Sequence, residues 1–291
     1  MIKGTIIKGI GGFYYVKAED KIYECKARGK FRKEKVIPLV GDHVKISVHE
    51  GSMQGVIESI LHRTTELIRP PVANVNQAVI VFAIQRPEPN LSLLDRFLVL
   101  AENEGLNIVI CFNKVDLATE DIFNKLYNIY GNMGYEVIAT STKIGTGIEP
   151  LKSCLKDKTT VFAGPSGVGK SSLLNKIQPN LALQTGEISE KIERGKHTTR
   201  HVELLSLDFG GWVLDTPGFS SLQVDFIEKD QLQYLFKEFG SFIEECKFHP
   251  CSHIKEPDCG VKKALEENII YSSRYDSYRK LLEEIEKARR Y

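Results

Sequence analysis

No apolar run among the 291 residues reaches the roughly 18 consecutive positions that a membrane-spanning helix needs, so no such span is expected. Charge of one sign is also missing: 39 Lys and Arg stand against 38 Asp and Glu, a formal net charge of +1. That balance excludes a wholesale polycation, and any contact with nucleic acid must come from a local patch. There is no internal repeat and no low-complexity segment. The opening MIKGTIIKGIGGFYYV lacks the apolar stretch ending in small residues that marks a secretory signal, so a cytoplasmic location is expected. Cysteine is scarce. Cys25, Cys111 and Cys154 are scattered and read as buried, reduced thiols. The other three, Cys246, Cys251 and Cys259, fall within fourteen residues with His253 among them. What is present suffices for a packed core: 42% of the residues are hydrophobic and 26% charged, which excludes a disordered or fibrous chain. At about 150 residues per domain, two domains or three small ones are expected.

Three textures follow one another. Up to about residue 65, five short alternating segments begin near Thr5, Phe13, Ile22, His43 and Val56, separated by Gly-rich or charged turns. They predict a small β-barrel of SH3 or OB type. Residues 26–35 (KARGKFRKEK) carry six basic side chains and one acidic one. They read either as a solvated hairpin or as a phosphate-contacting loop with Phe31 available for stacking. From about residue 66 to 223, apolar runs such as AVIVFAI and NIVICF alternate with helical periodicity, the pattern of a mostly parallel, doubly wound sheet. Beyond residue 223 the chain reads as helical and charged, with a helix over residues 227–239 and a Lys/Glu/Arg-rich helix at the end.

Gly164, Pro165, Ser166, Gly167, Val168, Gly169, Lys170 and Ser171 match GxxxxGK[ST], with Ser172 beside them. The motif follows a short apolar strand and precedes SLLNKI, the strand–loop–helix context that a phosphate loop requires. Its glycines let backbone N–H groups curl around phosphate oxygens, and the helix beginning near Lys170 points its positive dipole end at the same anion. Lys170 would reach the β- and γ-phosphates, and Ser171 would ligate Mg²⁺.

Asn113, Lys114, Val115 and Asp116 choose the base. They follow a buried strand, at the end where α/β sheets bind ligands. A carboxylate there accepts from both N1–H and the exocyclic amine of guanine, a donor pair that adenine lacks. Lys114 can cover the base face while Asn113 braces the loop. Ser141, Thr142 and Lys143 follow the next strand, where a backbone N–H could meet guanine O6. Asp215 and Gly218, in DTPG, are suited to holding Mg²⁺ through water and sensing the γ-phosphate. Residues 194–201 (RGKHTTRH) offer Thr198 or Thr199 to complete the Mg²⁺ shell.

The order is unusual: NKVD and STK precede the phosphate loop, whereas in Ras-like proteins they follow it. Barrel, permuted GTPase motifs and a Cys-x₄-Cys-x-His-x₅-Cys segment together closely resemble the bacterial ribosome small-subunit-dependent GTPase A family (RsgA, or YjeQ/YloQ), over essentially the whole chain. STK stands where SAK is common, a mild change in a loop that works through its backbone. The resemblance implies a multi-domain α/β protein: an OB-type barrel for RNA binding (1–65), a circularly permuted GTPase domain (66–223) and a helical zinc-binding domain (224–291). It implies GTP hydrolysis to GDP, late in maturation of the 30S ribosomal subunit, with 16S rRNA as partner. A monomer is expected.

Cys246, Cys251, His253 and Cys259 would form a closed Cys₃His set for one structural Zn²⁺, with no place left for substrate. His249 is a competing ligand, and His253 fits the family spacing. In Ras a glutamine after DxxG orients the attacking water. Phe219 occupies that position here and cannot do so. His197 is the best internal candidate for the missing group, with His201 and Arg200 behind it. Competing readings are a metabolic P-loop kinase, an RNA scaffold that only senses GTP, and a permuted GTPase acting on the large subunit.

Overall fold

The computed structural model describes residues 1–49, 51–68, 70–181, 202–214 and 222–289. Alternation of inward apolar and outward polar side chains builds five strands: β1 (Ile2–Ile10), β2 (Phe13–Ala18), β3 (Lys21–Ala27), β4 (His43–Val48) and β5 (Gln54–Ile60). They close into a barrel of order β1-β2-β3-β5-β4. Ile6, Val16, Cys25, Val44, Ile46 and Ile57 fill it, all fully buried. Closure leaves no unpaired strand edge.

The basic stretch after β3 is neither a hairpin nor an open loop. Residues Gly29–Lys33 form a short helix, α1. Phe31 points inward and is 5% exposed, so the expectation of an aromatic platform for bases is overturned. In a helix this short, one apolar residue must anchor the turn, and Phe31 is the only large apolar side chain there. The basic side chains remain outside.

A two-stranded ribbon, β6 (Glu66–Leu67) with β7 (Val72–Ala73), leads to the α/β region. There β8 (Gln77–Ala83), α2 (Leu91–Asn103), β9 (Asn107–Asn113), α3 (Glu120–Gly131), β10 (Glu136–Ala139), α4 (Ile148–Leu155), β11 (Thr159–Ala163), α5 (Lys170–Ile177), β12 (Leu204–Ser206) and β13 (Trp212–Leu214) follow in turn. The sheet order is β10-β9-β8-β11-β13-β12. β9 and β10 run parallel, as do β11 and β13, and β12 is an antiparallel edge strand. Every residue of β8 is buried, as its unbroken apolar run requires.

The chain divides into two compact units. One comprises Met1–Ala78, Ile148–Phe162 and Lys170–Ser220. Within it the barrel is tied to β12 and β13: Lys8 pairs with Glu203 at 2.6 Å, and Lys17 donates to Ser206 Oγ at 3.0 Å while lying over the Trp212 ring.

The other unit comprises Val79–Gly147, Ala163–Gly169 and Ser221–Tyr291. It contains three further helices, α6 (Gly240–Ile243), α7 (Gly260–Glu266) and α8 (Ser272–Ala288). The α-helix expected over residues 227–239 is absent. Two 3-10 stretches, Lys229–Leu235 and Lys237–Phe239, occupy the region. Phe236 between them is extended (φ −105°, ψ 95°), which stacks its ring on Phe239 and sets it edge-on to Tyr278. Aromatic packing overrides helical propensity here.

That unit is held by a buried ion-pair cluster. Arg274 on α8 is completely buried. Its Nη1 donates to Asp95 Oδ1 on α2 at 2.7 Å, while Nε and Nη2 donate to Glu238 at 2.7 and 3.1 Å. Tyr130 OH on α3 donates to the same Asp95 oxygen at 3.0 Å. One residue on, Arg96 reaches Glu284 of α8 and the Leu222 carbonyl.

Candidate functional site

Backbone shape comes first in the phosphate loop. Gly164, directly after β11, has φ +132°, and a Cβ there would lie 2.1 Å from the Val81 carbonyl oxygen on β8. Gly169 has φ +96°, and its Cβ would stand 2.5 Å from the Asn113 Nδ2. Both positions therefore require glycine, the second because Asn113 approaches so closely. Val168 is buried, whereas Ser166 and Gly167 are exposed.

Asn113 ends β9 and is 1% exposed. Its Nδ2 donates to the Val168 carbonyl at 2.8 Å, and its Oδ1 accepts from Thr140 Oγ1 at 3.1 Å. One side chain thus fastens the phosphate loop to the residue that precedes Ser141. Lys114 adopts φ +62°, which turns its side chain back: Nζ donates to the Gly167 carbonyl at 2.7 Å and to the Arg86 carbonyl at 2.5 Å. Val115 N–H donates to the Thr140 carbonyl, and Asp116 lies in the following 3-10 turn.

The half-buried Asp116 carboxylate accepts from Ser141 Oγ through Oδ1 at 2.5 Å. Its Oδ2 has no partner among the described residues. Ser141 N–H is committed to the Thr146 carbonyl, but the N–H groups of Thr142 and Lys143 have no partner among the described residues. A carboxylate acceptor and backbone donors on neighbouring loops match the edge of guanine. Lys170, Ser171 and Ser172 open α5, where the expected helix begins. His197, Thr198, Thr199, Asp215 and Gly218 lie outside the described residues, as do Arg200, His201 and Phe219.

Sequence reasoning missed Thr140 and Arg86. Thr140 sits one residue before STK, and that adjacency is its only signal in the sequence. Arg86 contributes through its carbonyl, which no side-chain pattern can reveal.

Cys246, Cys251, His253 and Cys259 are all buried, and their ligand atoms lie within 4.8 Å of one another. Cys246 Sγ is 3.8 Å from Cys259 Sγ and 3.6 Å from His253 Nδ1, which is 3.3 Å from Cys259 Sγ. Tetrahedral zinc with ordinary bond lengths would set sulfurs about 3.8 Å apart and sulfur about 3.6 Å from nitrogen. The residues fit such an ion. His253 Nε2–H donates to Gln233 Oε1 at 2.8 Å, leaving the Nδ1 lone pair facing the sulfurs. Burial lowers the His253 pKa, favouring the neutral imidazole that a metal needs. Burial also pushes the Cys251 thiol up to about 12, so a cation must displace its proton. His249 is exposed and does not join the cluster.

The knuckle is braced around the ligands. Tyr275 OH donates to the His253 carbonyl at 2.6 Å, and Tyr278 OH to the Ser252 carbonyl at 3.0 Å. Glu256 accepts from Ser252 N–H and Oγ and from Ile254 and Lys255 N–H. Burial opposes its charge, but these donors outweigh burial and hold its pKa at about 2.

A doubly wound sheet with a phosphate loop after one strand and base-recognition loops after two earlier ones defines a P-loop GTPase whose motifs are circularly permuted. The RsgA GTPase family model matches residues 60–225, and the RsgA N-terminal domain model matches residues 3–57. The chain belongs to the RsgA GTPase family. It is 54% identical to the small ribosomal subunit biogenesis GTPase RsgA of Alkaliphilus metalliredigens, with all of both chains covered. A Clostridium perfringens protein of the same name is 52% identical, with 98% of each chain covered. Among solved structures, YjeQ from Thermotoga maritima superposes with a TM-score of 0.87 at 42% identity, covering 98% of each chain. YloQ, described as a circularly permuted GTPase, gives 0.84 at 43%, covering 99% of this chain and 96% of its own.

Proposed function

We propose that this GTPase acts in maturation of the small ribosomal subunit, binding 30S particles and 16S rRNA more tightly with GTP than with GDP. Stimulated by the particle, it hydrolyses GTP to GDP and phosphate. The observation that carries the nucleotide reading is Asn113, which holds the phosphate loop and the Thr140 hydroxyl at once and so fixes base and phosphate loops together. Asp116 reads guanine, Lys114 lies along the base, and Thr142 and Lys143 donate toward O6. Gly164, Pro165, Ser166, Gly167, Val168, Gly169, Lys170, Ser171 and Ser172 hold the phosphates. Mg²⁺ would be held by Ser171, by Thr198 or Thr199, and by Asp215 through water, neutralising charge on the β- and γ-oxygens. Gly218 N–H senses the γ-phosphate, and His197 orients the attacking water.

Zinc is the metal of the cluster, on the strength of its sulfur-rich donors and tetrahedral spacing. Residues 1–65 grip RNA phosphates through Lys30, Arg32, Lys33 and Lys35 around α1, all exposed. Residues 66–223 form the GTPase domain and 224–291 the zinc domain. The protein works as a cytoplasmic monomer. No described helix is long and apolar enough to cross a membrane. GTPase rates titrated separately with 30S, 50S and 70S particles test the reading. The 30S subunit should stimulate most, and a larger response to 50S would overturn the partner.

A further inference from the structure

The loop between β8 and α2 takes no part in the nucleotide motifs, yet it touches them. It is fixed at both ends. Ile84 N–H donates to the Asn113 carbonyl at 2.8 Å, and Asn90 Oδ1 accepts from Leu93 N–H at 3.0 Å to cap α2. Between these anchors Arg86 takes φ +51°, outside the range that side-chain-bearing residues favour. That turn aims its carbonyl at the Lys114 ammonium, 2.5 Å away, while Gly167 supplies the second carbonyl at 2.7 Å. The Arg86 side chain is exposed and its guanidinium has no partner among the described residues. What the fold uses at this position is the backbone.

We propose that Arg86 is a positioning residue for the nucleotide: its carbonyl, with that of Gly167, forms a two-point cradle that holds the Lys114 ammonium and keeps its stem along the base. The lysine has three donor hydrogens. Two are spent on the cradle and the third is left for the nucleotide. Without the Arg86 carbonyl the flexible four-carbon stem regains rotamers, and binding the nucleotide must order them again. The loss falls on affinity for GTP and GDP alike, because neither the γ-phosphate nor the base edge distinguishes the two states at this point.

This inference rests on the nucleotide site proposed above, and the test separates the two. Fluorescent GDP and GTP-analogue affinities are measured for Arg86→Val, Arg86→Gly, Lys114→Ala and the double variant Arg86→Val/Lys114→Ala, with thermal unfolding as a check on folding. Valine is β-branched and resists a positive φ, whereas glycine accepts it. Loss of one charge-assisted hydrogen bond predicts about ten-fold weaker binding of both nucleotides by Arg86→Val. Arg86→Gly should recover most of that loss although it has no guanidinium. In the Lys114→Ala background, Arg86→Val should add nothing further. An equal loss with glycine would assign the effect to the guanidinium and overturn the cradle. An undiminished loss in the Lys114→Ala background, or wild-type affinity in Arg86→Val, would overturn it too. Wild-type affinity in Lys114→Ala would instead remove the nucleotide site itself.

Discussion

Replacing Arg274 by methionine removes the cation from a site where Asp95 and Arg274 are both completely buried and Glu238 is 7% exposed at its side chain. Three hydrogen bonds go with it, at 2.7, 2.7 and 3.1 Å. Asp95 keeps Tyr130 as a donor, and Glu238 loses both of its bonds to Arg274. Methionine conserves much of the volume and keeps contact with Phe236, whose ring centroid lies 4.6 Å from the guanidinium carbon, so cavity formation is a minor term. Stranding buried charges costs about 3–5 kcal/mol. In a cooperative unit of this size, that lowers the midpoint of thermal unfolding by on the order of 10 °C. Intrinsic fluorescence is a poor probe, because the single tryptophan, Trp212, belongs to the other compact unit. Hydrogen exchange of the α8 amides reads the effect directly. Asp95→Leu in the Arg274→Met background should restore part of the loss, since it removes one of the stranded charges. A destabilisation below about 1 kcal/mol, or no recovery in the double variant, would show that water or a proton already compensates the cluster.

Asp116→Asn should weaken GTP and shift preference toward xanthosine triphosphate, whose C2 oxygen suits an amide donor; competition binding showing unchanged GTP affinity would remove the base assignment. Elemental analysis of purified protein should find close to one zinc per chain, and Cys251→Ser should loosen the C-terminal region while sparing GTP binding; a fully folded, metal-free wild type contradicts this. Glu256 has its pKa lowered from 4.5 to about 2, so its contribution to stability is complete above pH 4.5 and is lost as pH falls toward 2. Glu256→Gln should therefore lower the urea midpoint near neutrality, and the gap from wild type should close on acidification; a gap independent of pH refutes the charge-based account. His197→Ala should reduce the 30S-stimulated GTPase rate while GTP and 30S affinities stay within about two-fold, and an unaltered stimulated rate would clear His197 of the role.

Local signals carried far. The barrel strands that begin near Phe13 and His43 are legible because alternation is a property of contiguous sequence. The phosphate loop was readable because its glycines answer to local backbone shape. Phe31 was not: whether an aromatic in a basic stretch faces water depends on what lies beneath it. Nor was Phe236, whose extended backbone follows from the rings of Phe239 and Tyr278. Gln233, which orients His253 from twenty residues upstream, carries no signature at all. Arg86 acts through a carbonyl, an atom every residue has.

The Asp95–Arg274 pair joins positions 179 residues apart, and this has a consequence during synthesis. At about 5–20 residues per second, α2 leaves the peptidyl-transferase centre roughly 10–35 s before the arginine that neutralises Asp95 has been made. Throughout that interval α2, which begins a few residues after Arg86, carries a carboxylate it cannot yet bury. The loops after β8 and β9 can assume their shape early, but α2 gains the partner of Asp95 only when α8 clears the exit tunnel. A nascent chain stalled before α8 would therefore hold α2 with the Asp95 carboxylate still unpaired by its arginine.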